Sequence, residues 1–175
     1  DNPGTLITKE PNSNTFGAVK AVALIKDVAM VNVNGAGMVG APGSYAKVFE
    51  VLGKNNINVM MVSAAVSEAN ISMVVKRGLL GRAISSIEIA LLERGGIVNE
   101  VTAEDDVAVI AVMGAHMKGM LGVASNIFST VAKRGINIRM IAQGSSELNI
   151  SFVVKEKDGV NVVQAIHEEF NLDKK

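Results

Sequence analysis

The chain contains one 50-residue segment twice, at a fixed offset of 79 residues. Residues 28–77 align without a gap on residues 107–156, and 21 of the 50 aligned pairs are identical. A match over a whole strand, loop, helix, strand, strand pattern predicts two copies of one small fold that pack as a pseudo-symmetric pair. Residues 28–77 are called the first copy below, and residues 107–156 the second copy.

Composition limits the kinds of protein that such a pair can form. Hydrophobic residues make up 49% of the 175 residues and charged residues 19%, which is enough apolar content for a sizeable core. Seventeen basic and seventeen acidic residues leave no net charge, so we expect neither nucleic acid nor a membrane surface as a partner. The absence of cysteine excludes disulfides and thiolate metal sites, and we expect a cytoplasmic protein.

Hydrophobic periodicity predicts the same order of elements in both copies. A β-branched strand at 28–33 precedes a glycine-rich loop, and a helix with one apolar face follows. Two strands and a second helix come next, at 58–63, 70–76 and 80–94 for the first copy and at 137–142, 149–155 and 160–170 for the second. A strand at 97–102 completes the first unit, whereas the second unit must take its last strand from 19–25.

This order predicts an α+β fold with two ferredoxin-like βαββαβ units, antiparallel sheets, helices on one face, and the first unit inserted into the second. The predicted boundaries are 27–104 for the first unit and 17–26 plus 105–173 for the second. Residues 1–16 are polar and turn-rich, and we interpret them as a linker that leaves a preceding domain.

Gly35, Gly37 and Gly40 spell G-x-G-x-x-G between a strand and a helix. In dinucleotide-binding loops this pattern places a pyrophosphate at the helix N-terminus, and an acid about 20 residues further on binds the ribose. The following strand offers no acid, and the second copy has His116 in place of the middle glycine. Dinucleotide binding is therefore the weaker alternative, and we expect the loop N–H groups to face a small anionic group such as a carboxylate.

The sequence predicts no catalytic or metal site. His116 and His167 are the only histidines, and with no cysteine in the chain they do not form a convincing metal site. The segments with Glu68 and Glu147 are interpreted as turns between the two hairpin strands of each copy. We expect the chain to be non-catalytic and to hold no cofactor.

With these features, the chain resembles the paired ACT domains that form the C-terminal regulatory part of aspartate kinases. The resemblance rests on NPGTLI at 2–7, VSEANIS at 66–72, IAQGSSELNIS at 141–151 and the inserted order of the units. It covers nearly the whole chain, and the second copy is most similar to threonine-sensitive members. The resemblance implies a sensor, in which an end-product amino acid binds where ACT units pair and controls the kinase.

The resemblance also implies the site, with the glycine-rich loop of one unit facing the second strand of its partner. Carried onto this sequence, the site residues are Met38, Ala41, Gly43, Ser44, Tyr45, Asn58, Val59, Met60, Asn137, Ile138 and Gln143. Lysine-sensing relatives carry an acid at the position of Met60, and a buried ammonium that faces Met would be costly. Threonine-sensing relatives have Gln at the end of the second strand in both units. Gln143 keeps it and Ala64 does not, so whether one or both sites work stays open.

The implied partners are an amino-acid effector, expected to be L-threonine, a second copy of the chain that forms a homodimer through the ACT units, and a missing N-terminal kinase domain. That domain would use ATP and Mg to phosphorylate L-aspartate. A parent without a homoserine dehydrogenase domain is expected, because the chain stops just past its last helix. The alternatives are a lysine sensor and a purely dimerising module with a vestigial pocket.

Overall fold

The computed structural model describes residues 17–92 and 96–173, so the predicted linker at 1–16 and the predicted helix end at Arg94 lie outside the described residues. The strands are β1 Ala21–Asn34, β2 Met61–Ala64, β3 Asn70–Lys76, β4 Glu100–Met113, β5 Met140–Gln143 and β6 Asn149–Lys155. The helices are α1 Ser44–Lys54, α2 Leu80–Ile87, α3 Val123–Lys133 and α4 Gly159–Glu169, and π-helical turns over Glu88–Leu92 extend α2. Within the described ranges, no helix has the length and apolar content to cross a membrane.

One antiparallel sheet joins these strands in the order β2-β3-β1-β4-β6-β5. The central strands β1 and β4 have 14 residues each and serve both halves of the sheet. β1 and β4 pair with each other along their whole length, from Ala21 opposite Met113 to Asn34 opposite Glu100. From Val28 onward the other edge of β1 pairs with β3. From Val107 onward β4 pairs with β6. Each half is therefore a ferredoxin-like βαββαβ unit, and the predicted fold class is confirmed.

The central strands differ from the prediction in their continuity. The sequence predicts separate strands at 19–25 and 28–33, but the structure joins both in β1. The register with β4 shifts between Ile25 and Val28, and Asp27 between them has a φ of 58°. A bulge of this kind accommodates extra residues, so the strand bends and continues. In the sequence, the polar Lys26 and Asp27 look instead like a break between two strands.

Each half has its own core under its helices. In the first half the buried positions include Val48, Leu52, Ile71 and Met73, and in the second half their counterparts are Ile127, Val131, Ile150 and Phe152. The same faces of the helices are buried in both halves, as the repeated periodicity predicts. The helices therefore cover one face of each half-sheet.

The opposite faces of the two half-sheets pack against each other. A third core joins Met61 of β2 and Met140 of β5 with side chains of all four other strands. Because β2 and β5 stand at opposite ends of the strand order, the sheet must fold over on itself for these side chains to meet. β1 and β4 are the two strands that bend at this fold.

Candidate functional site

The glycine-rich loop of the first copy is closed by hydrogen bonds from its own chain. A 3-10 turn at Ala36–Met38 follows β1, and Gly43 with a φ of 77° directly precedes α1. The N–H of Ala36 donates to Oδ1 of Asn99 at 2.8 Å, and the N–H of Gly40 donates to Oε2 of Glu68 at 2.8 Å. The expected small anionic group at the loop is thus, in part, a carboxylate of the protein itself.

The second copy repeats this carboxylate contact. The N–H of Gly119 donates to Oε2 of Glu147 at 2.8 Å. Glu68 and Glu147 both have a φ of 57°, a left-handed conformation that costs a residue with a side chain about 1–3 kcal/mol. Sequence reasoning took both glutamates for turn residues only. The signal that finds them is their identity at equivalent positions of the repeat.

The first glycine of each loop is required by chain packing. A Cβ at Gly35 would lie 2.0 Å from the carbonyl oxygen of Ile97, and a Cβ at Gly114 would lie 1.9 Å from that of Ala18. A Cβ at Gly37 would also come within 3.0 Å of Ile97. Gly35 and Gly37 face the protein's own backbone, so chain packing accounts for two of the three glycines of the G-x-G-x-x-G pattern.

A cavity of about 380 Å³ lies beside the loop of the first copy. Its lining residues are Gly40, Ala41, Pro42, Gly43, Ser44, Tyr45, Ala46 and Glu68. Four predicted site residues, Ala41, Gly43, Ser44 and Tyr45, are therefore brought together. Met38, also predicted, is fully buried in the core beneath the loop.

An equivalent cavity of about 310 Å³ lies beside the loop of the second copy. Its lining residues are Met117, Met120, Leu121, Gly122, Val123, Ala124, Ser125, Gln143, Glu147 and Ile150. Here the predicted Gln143 lies at the same cavity as Glu147. The cavity therefore combines an amide, a carboxylate and apolar side chains.

The predicted strand residues lie apart from both loop cavities. Asn58 and Asn137 are exposed, and Val59 and Ile138 pack against the cores of their own halves. Met60 lines a third cavity, between the two half-sheets. The predicted site joins the loop of one unit to the strand of a partner unit. A single chain does not test that pairing, so the role of these strand residues stays a prediction.

Charged side chains cluster on the first part of β4, on β6 and directly before β5. Arg139 pairs with Glu104 at 2.6 Å, and Lys155 pairs with Asp106 at 2.6 Å. The hydrogen bond from Lys155 lowers the pKa of Asp106, and Asp106 raises the pKa of Lys155 in turn. One oxygen of Glu104 is buried without a hydrogen bond, although the ammonium of Lys155 lies 3.8 Å away.

A further ion pair joins the two copies. Arg77 and Glu156 occupy equivalent positions of the repeat and pair with each other, and the hydrogen bond that Arg77 donates to the Glu156 carboxylate raises the pKa of Arg77. The described ranges contain no group of three or more His, Asp or Glu side chains that could hold a metal ion.

Comparison with known families gives one match. The sequence model of the ACT domain matches residues 31–91 and 110–170, one segment in each copy.

Known relatives are regulatory regions or longer proteins. The chain is 34% identical over 98% of its length to the chloroplastic bifunctional aspartokinase/homoserine dehydrogenase 2 of Zea mays, and it spans 19% of that protein. It is 31% identical over 97% of its length to an aspartate kinase of Gibberella fujikuroi, of which it spans 31%. The crystal structure of the ligand-free regulatory subunit of aspartate kinase from Thermus thermophilus superimposes with a TM-score of 0.76, at 31% identity, over 87% of this chain and 99% of that one.

Proposed function

The chain belongs to the ACT domain family, among the regulatory regions of aspartate kinases, and from this premise we propose that it binds L-threonine and gives allosteric feedback control of an aspartate kinase. The observation that carries the proposal is the cavity of the second copy, where Gln143 and Glu147 stand at the start of α3. The effector, the number of working sites and the parent enzyme are all parts of this proposal.

The second cavity has a group for each part of a small hydroxy amino acid. Oε2 of Glu147 holds the N–H of Gly119, and the carboxylate still has acceptor capacity for an ammonium group. The first N–H groups of α3 have no acceptor within the helix, so they suit a carboxylate at its N-terminus. The amide of Gln143 can both donate to and accept from a hydroxyl group. Threonine presents these three groups together.

The first cavity has different chemistry at the two deciding positions. Ala64 stands where the second copy has Gln143, and Tyr45 stands where it has Ala124. The Tyr45 hydroxyl lies 3.5 Å from the carbonyl oxygen of Asn70, at the limit of a hydrogen bond. We therefore place threonine in the second copy, because the first copy lacks the amide that Gln143 supplies.

A partner unit completes the second cavity in this proposal. Around it Leu121 is 96% exposed and Met120 is 51% exposed, and Ile141 on the edge strand β5 is 43% exposed. Apolar side chains beside an open strand edge are typical of a surface that another chain covers. A homodimer that pairs these edges would place the effector between two chains.

Control of a kinase then follows from linkage. An effector that bridges two units stabilises the quaternary arrangement that it binds more tightly, by a coupling free energy of about 1–3 kcal/mol in typical cases. In this proposal the phosphorylation of L-aspartate, with its ATP and Mg, is assigned to a kinase domain outside this chain, because the chain spans only 31% of the aspartate kinase of Gibberella fujikuroi.

Isothermal titration calorimetry of the chain with L-threonine, L-lysine, L-methionine and L-isoleucine tests the proposal. We expect saturable heat with threonine only. Gln143→Ala should weaken the affinity for threonine about 3- to 10-fold, because one hydrogen bond contributes about 0.5–1.5 kcal/mol.

Ala64→Gln, which gives the first copy the amide of the second, is the matched control and should not weaken the affinity for threonine. Saturable lysine heat in place of threonine heat would favour the lysine alternative. No heat with any amino acid, from a folded dimer, would favour the purely dimerising module.

A further inference from the structure

A third cavity, of about 360 Å³, lies between the two half-sheets. Its lining residues are Ile25, Met60, Met61, Val62, Val109, Ala111, Ala142, Gly144, Asn149 and Ser151. They come from both copies, and none of them lines either loop cavity. This interhalf cleft is therefore separate from the proposed effector sites.

The pseudo-symmetry of the molecule is broken at the interhalf cleft. The repeat relates Ile25 to Glu104 and Met60 to Arg139. Glu104 and Arg139 pair at 2.6 Å in the second half, so an ion pair occupies the place that is related to the cleft. Two apolar side chains replace both charges on the cleft side.

Apolar side chains are left open to solvent in the interhalf cleft. Ile25 is 36% exposed, Met60 42% and Val62 37%. Clustered exposed apolar side chains cost free energy in water and mark binding surfaces. The described residues that line the cleft carry no charge, so an ion would lose hydration without gaining a partner among them.

The polar groups of the interhalf cleft lie on β6. The hydroxyl of Ser151 lies 3.5 Å from Oδ1 of Asn149 and can donate to it. This arrangement leaves the two N–H groups of the Asn149 amide as donors at the cleft. A neutral carbonyl oxygen suits these donors.

From this geometry we propose that the interhalf cleft binds an uncharged, branched aliphatic molecule that carries one carbonyl group. The aliphatic part packs among Met60, Met61 and Val109, and the carbonyl oxygen accepts from Asn149. The volume lies within the range of about 300–1,000 Å³ that is usual for small-molecule sites. Such a ligand contacts both half-sheets and so couples them independently of the loop cavities.

The test uses 4-methylpentanamide as the probe and the methionine methyl groups, labelled with carbon-13, as NMR reporters. We expect saturable shifts at Met60 and Met61, and none at Met117 and Met120 beside the loop cavity of the second copy. The carboxylate 4-methylpentanoate has the same aliphatic part and should bind at least about tenfold more weakly, because no cation lines the cleft.

A double variant, Ile25→Glu with Met60→Arg, gives the cleft the ion pair of its twin. It should abolish the shift of Met61, while circular dichroism shows an unchanged fold. The matched control is Glu104→Ile with Arg139→Met, which changes the twin position and should leave probe binding at Met60 and Met61 intact.

Absence of saturable shifts at Met60 and Met61, or equal shifts in the Ile25→Glu/Met60→Arg variant, would overturn the proposal. Methyl signals that respond to protein concentration and not to the probe would overturn it too, since a second copy of the chain would then cover the cleft. A threonine titration of the same samples, read at Met117 and Met120, reports separately on the proposed effector site.

Discussion

The two copies have the same backbone devices and different side chains where ligands would bind. In both, a glutamate at a φ of 57° accepts from a loop glycine at 2.8 Å, and a glycine lets two stretches of backbone touch. The copies differ at Ala64 and Gln143, where the edge strands end, and at Met60 and Arg139, directly before the edge strands begin. The repeated residues therefore maintain the fold, and in our two proposals the differing residues give the two halves separate functions.

This division explains why the G-x-G-x-x-G pattern is a poor guide to function here. Gly35 has its equivalent in Gly114 because both loops pass over another segment of chain. Gly37 is replaced by His116 in the second copy, so the middle glycine is not part of the shared device. A motif whose glycines fill a packing role predicts the loop, and the ligand has to be inferred from the cavity beside it.

The largest expected effect tests whether the two loops are equivalent. Gly35→Ala and Gly114→Ala should each cost more than about 4 kcal/mol of unfolding free energy or prevent folding, because the new Cβ meets rigid backbone. Gly53→Ala, in α1 with open space around it, is the control and should gain about 0.5–1 kcal/mol. Urea unfolding measures all three. A mild effect at one loop only would end the equivalence.

The two cores provide the next comparison. Phe152 and its counterpart Met73 are both fully buried. The ring of Phe152 packs edge-to-face against that of Phe128, with 5.8 Å between the ring centroids, and Met73 has no ring to make such a contact. Phe152→Ala should cost about 3–5 kcal/mol and Met73→Ala about 2–4 kcal/mol. Met73→Leu conserves volume and should cost less than about 1.5 kcal/mol. A larger loss at Met73 than at Phe152, by thermal or urea unfolding, would contradict this order.

The glutamates test whether one site or two bind the effector. Glu147→Gln keeps an acceptor for Gly119 but removes the charge, so threonine affinity should fall roughly tenfold. The free energy of unfolding should change by less than about 0.5 kcal/mol. Glu68→Gln is the matched variant in the first copy and should leave threonine affinity unchanged. Equal losses by calorimetry would mean that both copies bind threonine.

The smallest expected effect concerns pH. Lys155 lowers the pKa of Asp106, whereas the equivalent Lys76 and Asp27 form no ion pair in the described structure. A lowered pKa in the folded state adds stability above the unfolded value of about 3.9, and this contribution is lost as pH falls through the lowered pKa. Asp106→Asn should therefore reduce the loss of melting temperature between neutral pH and pH 3. Lys155→Met should have the same effect, and an unchanged profile in both variants would exclude the ion pair as its source.

Most of the fold is predictable because each copy independently carries the same hydrophobic pattern. The strands at 70–76 and 149–155 are predicted at their observed bounds, since both copies repeat the same run of apolar and β-branched residues there. β2 and β5 begin only at Met61 and Met140, because the residues before them pack on the cores without pairing fully in the ladder. The loop residues of the candidate site are implied only by the resemblance to the regulatory ACT domains. Glu68 and Glu147 are not, since a turn glutamate reveals its partner only when the loop folds back to it.

The sequence alone determined two copies of a βαββαβ unit, the buried faces of their helices and the glycines between strand and helix. Period, hydrophobic pattern and backbone freedom are local properties, and each residue carries them wherever it lies. The tertiary structure decided that β1 and β4 run through both halves and that the sheet folds until Met61 and Met140 share a core. It also decided that the Glu104–Arg139 ion pair forms at one of two pseudo-symmetric places and that the interhalf cleft forms at the other. These features depend on contacts between residues far apart in the chain, whose free energy exists only once the strands between them have taken their places.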